Sequence, residues 1–339
     1  MTATEAPREP TVFDYTKRYF RALKNHFRHG EYDAEGVQGW AHLDIRTNCL
    51  VSGATSYGLR AIQHRERYGT THGLLGEFTK SRRREIVSAI NKDAYYVFPE
   101  RLPESVIQAL EAPMATEEGK LYPRLPDGTE YARYDAAKPV GPTYYYRSFS
   151  PTMQQWMADE NLAALATEYL GVDPIIHTAQ SWISAPFGTA PSAENAQLYH
   201  FDLSNLKMFK VFVYLSDVGP GNGPHCLIKG SHNPFDTTGS HLRRRGAVRI
   251  PDAEIDTLYP GREVEITGKR GTVFCVDTRS FHKGKYPTDG ERRIVELYYV
   301  NSTFGIPSPT FEVKSPTPEY LAAARRWPRL FHYYPAVTP

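Results

Sequence analysis

Residues 199–232, YHFDLSNLKMFKVFVYLSDVGPGNGPHCLIKGSH, decide the fold. The run at 207–215 is apolar and rich in aromatic and β-branched side chains, the types that suit a pleated, half-buried surface. It stops at the turn Gly219-Pro220-Gly221-Asn222-Gly223, and a second apolar run follows at 225–229. Two such runs around a glycine turn read as strands. Working outward, strands are also expected at 174–184, 198–203, 245–250, 262–266, 272–276 and 292–300. Turn signals separate them at Asn233-Pro234, Tyr259-Pro260-Gly261 and Thr288-Asp289-Gly290. About eight short strands at this spacing argue for a sandwich or barrel.

Around this block the chain changes character. Residues 1–11 are small, polar and proline-bearing, and are expected to be a disordered tail. Residues 12–29 read as a helix with Tyr15, Tyr19, Phe20, Leu23 and Phe27 on one face, which docks on the protein's own body. Helical pieces follow around 73–91, where the basic run 80–84 is a solvated face. Residues 12–92 thus form a mainly helical N-terminal extension packed on a core of 93–339. Whether it shapes an entrance or makes a homodimer contact the residues leave open. A strand-like run at 94–98 leads into a helix near 102–110, with Pro103 in its first turn. Another helix is expected at about 159–170.

Composition narrows the class. The 339 residues are 40% apolar and 23% charged, with a formal charge of +2, so bulk charge gives no reason to expect a nucleic-acid partner. Tyrosine (23) and proline (26) are frequent, in keeping with short strands and turns. Cys49, Cys226 and Cys275 form no C-x-x-C pair. Such a sparse, odd set fits a reducing cytoplasm and argues against a disulfide scaffold. No apolar run is long enough to span a bilayer, and the first residues have no secretory signal pattern.

Chemistry concentrates at Tyr199-His200-Phe201-Asp202. On a strand, His200 and Asp202 point to one side and Phe201 to the other. A third ligand comes from His282, beyond the strand at 272–276. Two histidines and a carboxylate on one face of a metal leave three positions open, an arrangement that suits iron(II) binding a cosubstrate and O₂. Arg293 opens the strand at 292–300 and shares a face with Val295 and Leu297. If that face is the barrel interior, Arg293 is a buried cation that requires an anion. Its planar guanidinium matches a carboxylate two-toothed. Arg292 then points outward.

At this point the residues resemble the phytanoyl-CoA dioxygenase family. The carriers are H-x-D at 200–202, the strand ending in Tyr214-Leu215-Ser216-Asp217-Val218, the glycine turn, Gly230-Ser231-His232, then His282 and Arg293. The resemblance spans roughly 94–305. It implies a mostly β protein with flanking helices, built on a double-stranded β-helix (jelly-roll, cupin-like) core. It also implies iron(II) on His200, Asp202 and His282, with Arg293 on 2-oxoglutarate. The activity implied is oxidation of an unactivated carbon by O₂, coupled to decarboxylation of 2-oxoglutarate to succinate. Because Asp202 is retained where halogenating members carry a small residue, hydroxylation is favoured. The chain departs from the pattern at Gly284, two residues after His282, where a hydroxyl often helps hold the cosubstrate.

Further residues are candidates at lower specificity. Gln180 and Lys207 are expected near the cosubstrate. Trp182, Tyr145, Tyr146 and Arg147 are expected on a substrate wall for a small-molecule, anionic or carrier-linked metabolite. The second H-x-D, His42-Leu43-Asp44, lacks the following strand and is read as accidental. His225 and His232 are read as structural, bonded to nearby backbone. Two other classes stay open: a cupin-like isomerase or epimerase that uses no O₂, and a non-catalytic binding protein on the same barrel.

Overall fold

The computed structural model describes residues 10–337 except 189, 192 and 247; the expected disordered tail lies almost wholly outside them. Two antiparallel sheets face each other. The larger runs in the order Tyr95–Arg101, Thr272–Val276, Met208–Tyr214, Arg292–Val300, Ile175–Ser184, Thr143–Tyr146, Gly119–Leu121 and Tyr131–Ala132. The smaller runs Glu263–Ile266, His225–Ile228 and His282–Gly284. Isolated bridges extend it, His200 pairing with His282 and Tyr199 with Ile250. The expected strands at 198–203 and 245–250 therefore shrink to bridge residues. This is a jelly-roll core with flanking helices.

Alternation on the central strands sets what each face does. From Met208–Tyr214, Phe212 and Tyr214 point inward and meet Leu227 and Ile266 of the smaller sheet, with Phe274, Val276 and Ile294. Phe209, Val211 and Val213 point outward, as do Val295, Leu297 and Tyr299. The outward set packs on Leu162, Leu165 and Tyr169 of helix Glu160–Leu170, Ile86 and Ile90 of Lys80–Asp93, and Ile107 and Leu110 of Glu104–Thr116. Both faces are buried, which is why these strands read as continuous apolar runs.

The N-terminal helices form a layer of their own. Helix Val12–His29 begins at a Thr11/Asp14 capping box and ends at Gly30 with φ +70°, a conformation glycine adopts without penalty. Its buried residues are Tyr19 and Ala22, packed with Trp40, Leu43 and Leu59 against Val172, Leu206 and Phe304 of the core. Phe20, expected on that face, is 61% exposed. The face is turned because Gly36 and Gly39 let helix Ala34–Arg46 approach at Arg18, Tyr19 and Ala22. Helix Lys80–Asp93 starts seven residues later than the expected piece at 73–91, since Thr71–Gly73 and Gly76–Phe78 form a hairpin. No helix among the described residues is long and apolar enough to cross a membrane.

Candidate metal centre

The two histidines are brought together by backbone. His200 N–H donates to His282 O at 3.0 Å and His282 N–H donates to His200 O at 2.8 Å. Asp202 N–H donates to Thr278 O at 2.8 Å, so the turn before His282 also fixes the carboxylate's position. Each imidazole uses Nδ1 on a carbonyl, His200 on Leu198 O and His282 on Ser280 O, both at 3.0 Å. A carbonyl can only accept, so both Nδ1 atoms carry hydrogen and both Nε2 atoms present lone pairs. His200 Nε2 lies 3.9 Å from Asp202 Oδ1, and His282 Nε2 lies 4.0 Å from Asp202 Oδ2. Two ligands each about 2.0–2.2 Å from one ion are separated by no more than about 4.4 Å. The three residues thus suit a shared divalent ion.

Protonation favours the same use. Burial, reinforced by His282, pushes His200 down to about 3, and burial also lowers His282. Both imidazoles are neutral and free to ligate. Burial alone would raise the Asp202 carboxyl, but the Lys210 ammonium beside it outweighs burial and holds it well below the usual carboxylate range.

Lys210 was not foreseen. It projects inward from Met208–Tyr214 with Nζ 2.9 Å from Asp202 Oδ2 and 3.3 Å from Glu296 Oε1. It also lies over the Tyr298 ring at 4.8 Å. Glu296 Oε2 accepts from Gln180 Nε2 at 3.0 Å. A polar chain thus runs Gln180–Glu296–Lys210–Asp202 along the inner face. Gln180 also lines a cavity of about 690 Å³ with Tyr145, Tyr146, Arg147, Tyr122 and Phe311. Tyr145 packs on Trp182 with ring centroids 5.7 Å apart, and Trp182 on Phe212. Tyr146 also belongs to the outer apolar cluster, and Arg147 stacks on Phe311.

Three expected positions need correction. Arg293 does share a face with Val295 and Leu297, but that face is the helix-covered one. Its guanidinium pairs with Glu111 at 2.6 Å and Glu291 at 2.8 Å, leaving no need for an anion. Arg292 points inward, 6% exposed. It donates to Gly223 O, and to Ser184 Oγ at 3.2 Å, while its Nε has no partner. Among the described residues no carboxylate pairs with it. A buried guanidinium without a carboxylate is costly, and an anion beside it would offset that cost. Lys207 also leaves the expected place. It precedes the strand, donates to Tyr169 O and lies 4.0 Å over the Tyr169 ring, where burial pushes it down to about 7.

The remaining motifs fall as follows. Ser231 Oγ donates to Ile228 O and accepts from Phe281 N–H, both at 2.9 Å. Its histidine neighbours differ from expectation, because His225 Nε2 and His232 Nδ1 are buried without partners. His42 stacks on Tyr15, and Asp44 accepts from Ser52 N–H at 2.7 Å, away from any metal-type grouping. A second grouping of metal-type donors, Cys226 with Glu263 and Glu265, has Glu265 already paired with Lys285.

No protein-family model matches the chain. The chain is similar to ectoine dioxygenase of Bordetella parapertussis, 21% identical over 261 residues that cover 73% of this chain and 84% of the relative. It is likewise similar to ectoine dioxygenase of Sphingopyxis alaskensis, 25% identical over 193 residues, covering 51% and 61%. Among solved structures it resembles EctD from S. alaskensis with bound Fe, with a TM-score of 0.44 and 22% identity, covering 75% of this chain and 88% of that one.

Proposed function

We propose that this chain is a non-haem iron(II), 2-oxoglutarate-dependent dioxygenase of the phytanoyl-CoA dioxygenase type. One observation carries the reading: the barrel's inner face holds both a neutral His–Asp–His set and a buried guanidinium without a carboxylate partner. The first suits a divalent metal and the second a carboxylate, on one inner surface. The two ectoine dioxygenase relatives support the same activity.

In this reading His200, Asp202 and His282 hold iron(II), and Arg292 rather than Arg293 holds the far carboxylate of 2-oxoglutarate. When bound, the metal and cosubstrate supply O₂ activation and release succinate and CO₂. The protein's share is placement and exclusion of water. Lys210 neutralises the oxygen of Asp202 that faces away from His200. Phe212, Phe274 and Ile294 keep the interior dry. Trp182 and Tyr145 form the aromatic wall and Gln180 and Glu296 the polar edge on the substrate side. The substrate is a small molecule, free or carrier-linked, hydroxylated at an unactivated carbon. Three buried free cysteines suit a reducing cytoplasm.

The test is succinate formation from 2-oxoglutarate under air with iron(II) and ascorbate, screened against compound sets. Succinate that depends on iron and is lost in His282→Ala supports the reading. Tight iron binding with no 2-oxoglutarate consumption under any condition contradicts it. That outcome favours an isomerase on the same barrel.

A further inference from the structure

Residue 284 is glycine, so no hydroxyl stands two positions after His282. The structure places something else beside it. Across the smaller sheet, Gly284 pairs with His225 and His282 pairs with Leu227. Residues 225, 227, 282 and 284 therefore share the inner face. A Cβ at 284 would lie 2.9 Å from Arg292 Nη2, so the guanidinium fills the room the glycine leaves. The His225 ring lies nearly parallel to His282, with centroids 5.6 Å apart and 20° between planes, and 5.4 Å from Phe212. It is 7% exposed, and its Nε2 is buried with no hydrogen-bond partner. Arg292 Nε is in the same condition. Two buried polar nitrogens without partners on one surface mark a place built for a ligand.

We propose that His225 replaces the missing hydroxyl, donating its Nε2–H to a carboxylate oxygen of the 2-oxoglutarate that Arg292 binds. The inference rests on the dioxygenase reading and extends it to a residue on a different strand. A neutral imidazole suffices in its Nε2–H tautomer, which a carboxylate facing Nε2 selects. Ladder pairing explains how the exchange works. Residues paired across antiparallel strands have Cβ atoms about 4.5–5.5 Å apart, so a long side chain at 225 reaches the space a short hydroxyl at 284 would serve.

The experiment titrates 2-oxoglutarate into anaerobic iron(II) protein and follows the metal-to-ligand charge-transfer band. Wild type, His225→Leu, Gly284→Ser and the double variant are compared, with melting curves to check folding and iron affinity measured separately. His225→Leu is expected to weaken 2-oxoglutarate binding about tenfold, the scale of one hydrogen bond to a charged group, with iron affinity unchanged. Gly284→Ser shifts the tip of Arg292, since its Cβ would lie 2.9 Å from Nη2, so its hydroxyl is expected to restore part of that loss in the double variant and to add nothing to wild type. His225→Gln, which keeps a side-chain N–H, is expected to fall between. Wild-type affinity in a folded His225→Leu overturns the proposal, as does an equal gain from Gly284→Ser in both backgrounds. If wild type itself gives no band with 2-oxoglutarate, the dioxygenase reading fails and this inference falls with it.

Discussion

The two faces of strand Arg292–Val300 do opposite work. The outer face carries Arg293, Val295, Leu297 and Tyr299, mostly apolar and sealed by helices. The inner face carries Arg292, Ile294, Glu296 and Tyr298, largely polar and charged. In many proteins the apolar face of a strand is the interior one. Here the helix-covered face is the core, while the barrel interior is a lined site. The buried charge of Glu296 is met there by Lys210, whereas Arg292 has no carboxylate among the described residues.

The comparison breaks first at the metal. Replacing His200, Asp202 or His282 by alanine removes a ligand, and turnover is expected to vanish with iron affinity strongly reduced. Isothermal titration with iron(II) under nitrogen checks this, and full succinate output from any of the three would remove the site assignment.

Next comes the inner-face ion cluster. Lys210→Met leaves Asp202 and Glu296 without their shared cation, which is expected to cost roughly 3–5 kcal/mol of stability. Adding Glu296→Gln removes one of the stranded charges and should recover a good part of it. Urea unfolding of the metal-free proteins measures both, and equal losses in the single and double variants would mean the cluster is not a unit.

The outer face gives the matching control. Leu297 is fully buried among the helices. Leu297→Ala is expected to cost about 2–5 kcal/mol while leaving 2-oxoglutarate affinity as in wild type. A large affinity change with little loss of stability would reverse the two faces.

A smaller effect is the pH dependence of stability without metal. His200 is held at about 3 and His232 at about 4, against an ordinary 6.5, and His225 is also depressed. Below pH 6.5 the unfolded chain takes up protons that the folded chain refuses, so stability falls as pH drops from 6.5 toward 4. Asp159, raised to about 6 by burial, and Asp44, also raised by burial, act the other way over part of that window, but two carboxyls oppose several histidines. The melting temperature is expected to drop by several degrees between pH 6.5 and 4.5, and a flat profile would mean the imidazoles are not buried neutral.

Much of this was legible in the residues. The period-two logic of His200 and Asp202, the spacing to His282 and the strand-and-turn texture all rest on local rules, and the jelly-roll core follows them. Arg293 and Lys207 were misplaced because alternation shows which residues share a face, not which face looks inward. That choice depends on Glu111 and Tyr169, which belong to distant helices. Lys210 lies inside an apolar run, MFKVFVY, where a single lysine resembles a solvent-facing residue. Glu296 and Arg292 were hidden the same way. A charged residue inside a strand that is otherwise buried on both faces was the available signal. Phe20 was misjudged because Gly36 and Gly39 turn the helix toward a neighbour that periodicity cannot see.

The most direct test of the two-faced strand compares adjacent arginines. Anaerobic iron(II) protein is titrated with 2-oxoglutarate in wild type, Arg292→Leu and Arg293→Leu. Loss of one partner of a buried charge-assisted pair costs about 2–5 kcal/mol, so Arg292→Leu should weaken binding roughly 30-fold to several-thousand-fold. Arg293→Leu should bind 2-oxoglutarate as wild type does, with only the modest stability change of a half-buried pair to Glu111 and Glu291. The reverse order, or no loss in either variant, would contradict the account.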